Sequence, residues 1–332
     1  KTTIAKCVSG STQVVLKSTF TGLFSGWRDE KNANKDASLI PIIAGKTLIV
    51  KDADALLKQK NVEEIFSQLR DFYDKDSAVF FKNMVNHEYH NIRCTMILCG
   101  TNVLRRSDQS FLGERFLDFE LDLTDNDREL MEERMLDRSM AVALNPSSPP
   151  PERPVVAAAK GFLEHIWAKD VTVILGPREK EAIRTFSKLA ATLRTKVDRE
   201  KFGEKDMTFR PVIEVPARLI GQLTKLYMCA CVVLNIDKPN DLVHNLVRKV
   251  TRDIIDIHSA RYKICKILCT DYHSRDEIAD LTGLSITKVT SETIDLVALD
   301  LTTACQYPTN GRKIWKFRLK ENYIKNMEYL EG

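Results

Sequence analysis

Two near-continuously apolar runs constrain the fold of this chain most. They cover residues 47–51 and 94–99, with the sequences Thr-Leu-Ile-Val-Lys and Cys-Thr-Met-Ile-Leu-Cys. Strands that are apolar on both faces are typical of parallel sheets covered by helices on both sides. Residues 12–16 and 116–121 form two further candidate strands. Because these four runs alternate with helical patterns, we predict an α/β core with a parallel sheet.

Helical patterns occupy the middle of the chain. The first lies between the apolar runs, where Asn61 is available as an N-cap and Val62, Ile65, Phe66, Leu69 and Phe72 recur at helical spacing. After Asp122 the helical patterns cover residues 125–143, 155–168, 178–197, 216–235 and 240–258. Five prolines within residues 145–154 predict a poorly ordered linker. We therefore predict an α/β core at 1–124, an all-helical region at 125–258 and an α+β domain at 259–332.

Composition narrows the class of protein only slightly. The 332 residues carry a net charge of +4, which is a weak indication of a polyanionic partner. No run approaches the roughly 18 consecutive apolar residues of a membrane span, so we predict a cytoplasmic protein with no membrane partner. None of the eight cysteines has the spacing of a zinc site, and we predict reduced core thiols.

The first three residues, Lys1, Thr2 and Thr3, match the end of a GxxxxGK[ST] phosphate-binding loop. In such a loop the lysine reaches the phosphates, the next hydroxyl binds Mg²⁺, and backbone N–H groups at a helix N-terminus hold the anion. Because the chain starts with Lys rather than Met, we expect the glycines of the loop to lie upstream. We accordingly expect this chain on its own to bind ATP weakly or not at all.

Asp52 directly follows the apolar run 47–51, which is the Walker-B arrangement, in which a rigid strand end holds an aspartate near Mg²⁺. The glutamate that usually comes next is replaced by Ala53, and Asp54 follows one residue later. Asp54 is either the catalytic base or a helix N-cap. The identity of the base therefore stays open, and slow hydrolysis or a switch role is compatible with the sequence.

Two further polar residues lie next to predicted strands. Asn102 or Thr101 follows the run 94–99, where a polar side chain can orient the attacking water. Arg115 lies in a Gly-Glu-Arg-Phe segment just before the predicted strand 116–121. Its guanidinium suits the negative charge that develops during phosphoryl transfer, although a surface salt bridge is the alternative.

The order of these features resembles that of AAA+ ATPases, with MCM-like, RuvB-like and phage or mobile-element ATPases as the nearest subclasses. The resemblance implies a three-layer AAA+ core, a helical lid and a winged-helix domain, with ATP and Mg²⁺ as cofactors. It assigns Lys1, Thr2 and Thr3 to the nucleotide, Thr2 and Asp52 to Mg²⁺, and Asp52, Asp54, Asn102 and Arg115 to catalysis. Arg218, early in a helix that resembles the sensor-2 helix, would bend over the nucleotide. Arg115 would act in trans, which implies a homo-oligomeric ring.

The last domain has the pattern of a winged helix. Ser274 and Glu277 form a capping box, Gly283 suits a tight turn, and Ser285 caps a second helix. Two strands around Asn310-Gly311 then predict a hairpin. In DNA-binding versions the second helix enters the major groove and the hairpin contacts phosphates. We predict DNA contacts at Thr287, Lys288, Thr290, Ser291, Arg312 and Lys313.

Three functions remain open from the sequence. The first is an ATP-hydrolysing protein acting on DNA, such as a replication or recombination helicase or a helicase loader. The second is an ATP-switched or non-hydrolysing regulator whose winged helix binds DNA. The third is a protein-interaction module, because the second helix has Lys288 as its one cation and also carries Glu292 and Asp295.

A histidine pair precedes the run 94–99, in the sequence Asn86-His87-Glu88-Tyr89-His90. Related ATPases carry a DNA-contacting hairpin at this place. We favour a polar loop here, with a substrate-contacting loop and a bound metal as alternatives.

Overall fold

The computed structural model describes residues 13–17, 38–58, 62–74, 77–80, 86–101, 116–117, 119, 124–144, 154–168, 170–195, 197, 211, 213, 215–309 and 312–332. The chain forms two compact units, residues 1–107 with 119–170, and residues 108–118 with 171–332. The described part is mostly helical, with a small parallel sheet in the first unit and an antiparallel sheet in the second.

The first unit contains a parallel sheet. Its elements in chain order are β1 (Gln13–Lys17), α1 (Ile40–Ile43), β2 (Thr47–Lys51), a 3-10 helix (Ala53–Lys58), α2 (Val62–Tyr73), β3 (Ser77–Phe80), β4 (Asn86–Tyr89), β5 (Thr95–Leu98), α3 (Asp125–Leu144) and α4 (Pro154–Trp167). The strand order is β1–β2–β5, and both pairings are parallel. Leu48, Ile49 and Val50 are fully buried, as the apolar run predicts. The predicted parallel α/β arrangement is therefore confirmed in this coarse form.

The segment between α2 and β5 forms an antiparallel hairpin of β3 and β4. His87 lies opposite Val79, and Glu88 lies opposite Ala78. The polar loop favoured from the sequence is therefore wrong for residues 86–89. Their polar composition does not indicate a strand, but backbone pairing with β3 supplies the hydrogen bonds that a strand needs.

The predicted strand at 116–121 is not formed at the residues described there. Phe116, Leu117 and Phe119 have no strand conformation. A strand requires a hydrogen-bonded neighbour, and among the described residues the parallel sheet consists of β1, β2 and β5. Leu117 instead packs against the hydrophobic core of the second unit, while Phe119 is 62% exposed.

The helix α3 has a solvent-exposed surface on all sides. All of its side chains that the structure describes are exposed, including Met135 at 65% and Leu136 at 63%. The predicted linker at 145–154 lies outside the described residues, apart from Pro154, which is the first residue of α4. Proline suits this position because its missing N–H would be unpaired there in any case.

The second unit is a helical assembly that ends in a small antiparallel sheet. Its elements are α5 (Pro177–Arg194), α6 (Ala217–Leu234), α7 (Asp241–Ile255), α8 (Ala260–Leu268), β6 (His273–Ser274), α9 (Arg275–Thr282), α10 (Ile286–Ala298), β7 (Thr302–Thr309), β8 (Arg312–Leu319) and α11 (Glu321–Glu331). The sheet order is β6–β8–β7. One hydrophobic core includes Phe186 of α5, Tyr227 of α6, Leu296 of α10 and Phe317 of β8. The helical region and the C-terminal sheet thus share a core, while the predicted domain boundaries stay a prediction.

The helix α6 is the one described helix that is long and apolar enough to cross a membrane by length and composition, with a mean hydropathy of 1.4. One third of this stretch, 33%, is buried inside the protein. Leu219, Leu223 and Tyr227 face the core of the second unit. The predicted cytoplasmic location stays a prediction.

The cysteines that the structure describes are all free. Cys99, Cys231 and Cys265 are buried, as predicted. Cys229 and Cys305 are exposed, so the prediction of core thiols is wrong for these two. Cys229 lies on the exposed side of α6 beside Met228, and Cys305 lies on an exposed part of β7.

Candidate functional site

The carboxyl ends of β2 and β5 meet at one edge of the parallel sheet. Val50 lies opposite Leu98, and beyond the strands the N–H of Ala53 donates to the carbonyl of Cys99 at 2.9 Å. Ligands of parallel α/β sheets bind in the crevice outside this edge. The predicted strand ends at Asp52 and Thr101 are therefore brought together.

Asp52 turns the chain from β2 into the 3-10 helix. Its backbone φ is +49°, in the left-handed region that aspartate and asparagine tolerate better than most residues. The residue is exposed, and among the described residues none bonds to its carboxylate. The carboxylate can therefore serve as a ligand for a cation at the sheet edge.

Asp54 binds the backbone that follows β5. The N–H of Thr101 lies 2.9 Å from each of its two carboxylate oxygens. The bond joins residues 47 positions apart in the chain and fixes the start of the segment that leads to Asn102. Asp54 therefore holds this segment in place, and it is not a simple helix N-cap.

Other residues predicted for a nucleotide site are not brought to this edge by the described structure. Lys1, Thr2, Thr3, Asn102 and Arg115 lie outside the described residues. Arg218 belongs to the second unit, where it is the second residue of α6 and is exposed. A cation in the first turn of a helix opposes the helix dipole, so helix stability does not account for an arginine at this position.

The hairpin β3–β4 carries the histidine pair predicted as a polar or metal-binding segment. Glu88 and His90 lie 3.9 Å apart and are mostly exposed. Within the described ranges, no group of three or more His, Cys, Asp or Glu side chains could hold a metal ion. The hairpin precedes β5 directly, at the place where the resemblance predicts a DNA-contacting hairpin.

In the second unit, the predicted helix caps and the turn at Gly283 are confirmed. The N–H of Ser274 donates to Glu277 at 2.6 Å, and the N–H of Glu277 donates to the Ser274 hydroxyl at 3.3 Å. Gly283 ends α9 with a φ of +68°. The Ser285 hydroxyl accepts from the N–H of Lys288 at 3.3 Å and caps α10. These local contacts fix the residues at which α9 begins and ends and at which α10 begins.

The outward face of α10 carries the residues predicted to contact DNA. Thr287 and Lys288 are exposed, and Thr290 and Ser291 are half-buried. The same surface also exposes apolar side chains: Ile286 at 45%, Ile294 at 36% and Val297 at 43%. The face is thus more apolar than the sequence pattern alone indicates.

The acidic residues of α10 point inward. Arg261 of α8 donates to Glu292 at 3.1 Å and to Asp295 at 3.4 Å, and both acidic residues are 8% exposed. The same guanidinium donates to the carbonyls of Leu193 and Thr195 at the end of α5. The two carboxylates that favoured a protein-interaction module from the sequence are therefore buried and paired with Arg261, and the protein-interaction alternative itself stays a prediction.

Lys288 also pairs with Glu292, at 2.8 Å. Burial alone raises the pKa of Glu292, but Lys288 and Arg261 outweigh it and hold the pKa below its ordinary value. Glu292 therefore stays ionised, and part of the charge of Lys288 is used within the protein. The positive potential that α10 offers to phosphates is correspondingly small.

A buried polar chain joins α5, α6 and α7. The N–H of Gly176 donates to Glu179 at 2.6 Å, and the second Glu179 oxygen lies 3.0 Å from His244 Nε2. His244 Nδ1 lies 2.8 Å from the Tyr227 hydroxyl. Burial raises the pKa of Glu179, but backbone N–H groups and His244 outweigh it, so the net shift is downward. These three side chains are buried, and their hydrogen bonds stabilise the packing of α5, α6 and α7.

The hairpin of β7 and β8 contains the predicted phosphate contacts. Lys313 is exposed near the turn, and Arg312 is the first residue of β8, although its side chain lies outside the described part. Tyr272 and Tyr307, which the sequence interpretation misses, lie near the cations of β8. Tyr307 shares its side of β7 with Thr303 and Cys305, and this spacing of two is the signal that could have revealed it, whereas Tyr272 lies just before β6 and has no such signal.

No protein-family model matches this chain, and no curated protein matches it at a significant level.

Proposed function

We propose that this chain is the nucleotide-binding and DNA-contacting part of an AAA+-type ATPase. The observation that carries the proposal is the adjacency of β2 and β5, which brings Asp52 next to the Thr101 segment at the carboxyl edge of a parallel sheet. P-loop NTPases hold Mg²⁺ with an aspartate at this kind of strand end. The helix-turn-helix and hairpin of the second unit support the DNA-contacting role.

Each predicted site residue has a role in this proposal. Lys1 and Thr3 hold the phosphates, Thr2 and Asp52 hold Mg²⁺, Asn102 orients the attacking water, Arg115 reaches the nucleotide of a neighbouring subunit, and Arg218 covers the nucleotide. Asp54 is a positioning residue, because its carboxylate holds the backbone of Thr101. The proposed activity is ATP hydrolysis that responds to DNA.

The test is ATP hydrolysis, with and without DNA, by the natural protein including any residues that precede Lys1. Asp52→Asn is expected to lower the rate on the order of a hundredfold or more, because it weakens a ligand of the metal. Asp54→Asn is expected to cost less, because the amide oxygen can still accept from Thr101. The matched control is Asp71→Asn, an exposed aspartate on α2.

The outcomes separate the possible roles. Equal losses in Asp52→Asn and Asp54→Asn would make Asp54 the catalytic base and not a positioning residue. An unchanged rate in Asp52→Asn, or no hydrolysis by the unaltered protein under any condition, would overturn the ATPase proposal.

A non-hydrolysing, ATP-switched DNA-binding regulator is the second candidate. Ala53 stands where a glutamate usually polarises the attacking water, and Asp54 already binds the N–H of Thr101. The discriminating result is ATP binding that changes DNA affinity without any turnover.

A further inference from the structure

The antiparallel sheet of the second unit has one face that packs inward and one that faces outward. Phe317 and Leu319 are buried in the core, so their neighbours on β8 lie on the opposite side. Residues directly opposite each other on paired strands share a face. We name this the outer sheet face, and it consists of Tyr272, Thr303, Cys305, Tyr307, Ile314, Lys316 and Arg318.

Aromatic rings and cations are interleaved on the outer sheet face. The guanidinium of Arg318 lies 5.9 Å from the ring centre of Tyr272, and the ammonium of Lys316 lies 6.0 Å from that of Tyr307. The two rings are 5.8 Å apart and tilted by 55°. The Tyr272 hydroxyl lies 3.2 Å from the hydroxyl of Thr303.

The ring of Tyr307 is available for stacking. Tyr272 lies too close for a base to enter between the two rings, so it supports Tyr307 from one side. Tyr307 is 38% exposed, which leaves ring surface open to solvent. Proteins that bind single strands use aromatic side chains on sheets in this way, because unpaired bases can stack on them.

The charges on the outer sheet face favour a polyanion. Among the described residues no carboxylate pairs with Arg318, and its Nε is buried without a hydrogen-bond partner. Lys316 pairs with Glu277 at 3.0 Å, which offsets part of its charge and fixes its position. Stacked on Tyr272, the guanidinium of Arg318 keeps donors that suit a phosphate.

We infer that the outer sheet face binds single-stranded DNA, with a base stacked on Tyr307 and a phosphate on Arg318. The helix α10 is the weaker candidate, because Lys288 pairs with Glu292 and apolar side chains surround it. The inference rests on the proposed function only for the identity of the polymer as DNA. It assigns the contact to the sheet rather than to α10.

The test measures binding of a labelled 20-nucleotide oligo-dT and a 20-base-pair duplex by fluorescence anisotropy, without nucleotide. Tyr307→Ala is expected to weaken oligo-dT binding by roughly five- to a hundredfold, and Tyr307→Phe should keep most of the affinity because the ring remains. Arg318→Gln is expected to reduce the slope of log affinity against log salt by about 0.7, the value for one phosphate on a single strand. Lys263→Gln, which removes an exposed cation from α8, is the matched control.

A second measurement uses two exposed thiols of the same unit. Cys305 lies on the outer sheet face opposite Lys316, whereas Cys229 lies on α6. Oligo-dT is expected to slow alkylation of Cys305 and to leave alkylation of Cys229 unchanged, as measured by mass spectrometry. This comparison needs no substitution, so it does not depend on the stability of any variant.

Any of three results overturns the inference. The first is an oligo-dT affinity that Tyr307→Ala leaves unchanged, and the second is alkylation of Cys305 at the same rate with and without oligo-dT. The third is a higher affinity for the duplex than for oligo-dT, together with loss of duplex binding in Lys288→Gln. Oligo-uridine of the same length tells DNA from RNA, and a clear preference for it would replace DNA with RNA. If the protein binds oligo-dT through Tyr307 but does not hydrolyse ATP, the proposed ATPase function is wrong and this inference stands. If the protein hydrolyses ATP in response to DNA but Tyr307→Ala leaves its oligo-dT affinity unchanged, this inference is wrong and the proposed ATPase function stands.

Discussion

Replacing Arg261 with methionine is expected to lower the free energy of unfolding of the second unit by about 3–5 kcal/mol. The guanidinium donates to Glu292 at 3.1 Å, to Asp295 at 3.4 Å, and to the carbonyls of Leu193 and Thr195 at 3.0 and 2.6 Å. Methionine has a similar length but no donor. Two buried carboxylates and two carbonyls would therefore lose a partner at once.

Urea unfolding at pH 7, followed by circular dichroism, measures this loss. The matched control is Arg184→Met on α5, whose partner Glu181 and whose own side chain are mostly exposed. An exposed pair of this kind contributes at most about 1 kcal/mol. Adding Glu292→Gln and Asp295→Asn to Arg261→Met is expected to recover part of the loss, because the two buried side chains are then uncharged and no longer lack the guanidinium.

The loss of stability in Arg261→Met is expected to depend on pH. Burial raises the pKa of Glu292, but Lys288 and Arg261 bring it below its ordinary value, so its contribution to stability is present above the unfolded pKa of about 4.3 and is lost as pH falls through the folded pKa. In Arg261→Met the pKa of Glu292 is expected to rise, because one of the two cations that lower it is lost while burial still raises it. The difference between the two proteins should therefore narrow as pH falls from 7 toward 3. A loss below about 1 kcal/mol at pH 7, or one that does not change with pH, would refute the reasoning.

Three further changes are expected to affect stability, each measured by urea unfolding. Gly176→Ala would place a Cβ 2.9 Å from the Glu179 carboxylate and is expected to cost about 1–2 kcal/mol; a gain in stability would contradict this. His244→Phe removes the buried partner of Glu179 and of Tyr227 and is expected to cost about 2–4 kcal/mol, which an unchanged midpoint would disprove. Ser274→Ala removes the N-cap of α9 and is expected to cost about 1 kcal/mol, whereas Ser274→Gly should cost only a few tenths.

Elements coded by neighbouring residues are predicted well from the sequence. Ser274 and Glu277 are three positions apart, and Gly283 acts through its own backbone, so both are recognisable without knowing the rest of the fold. The apolar runs around Ile49 and Ile97 are likewise visible in the sequence, although β2 is buried and β5, contrary to the expectation of burial on both faces, is only partly buried. The small parallel sheet and the caps and turn of α9 and α10 therefore follow from local patterns.

Contacts between distant residues could not be predicted in the same way. Arg261 meets Glu292 from 31 positions away, and Asp54 meets Thr101 from 47 positions away. The local sequence does not show whether an acidic residue faces solvent or a buried arginine. The predicted strand at 116–121 is wrong at its described residues for a related reason. A strand needs a hydrogen-bonded neighbouring strand, and its own sequence does not specify that neighbour.

The continuous core of the second unit joins α6 and β8 in one packed cluster. Leu219, which follows Arg218, and Phe317, which precedes Arg318, belong to the same close-packed cluster. A close-packed interior transmits displacement instead of absorbing it. A ligand that displaces the start of α6 at Arg218 would therefore be expected to displace the outer sheet face as well, because both are attached to this cluster.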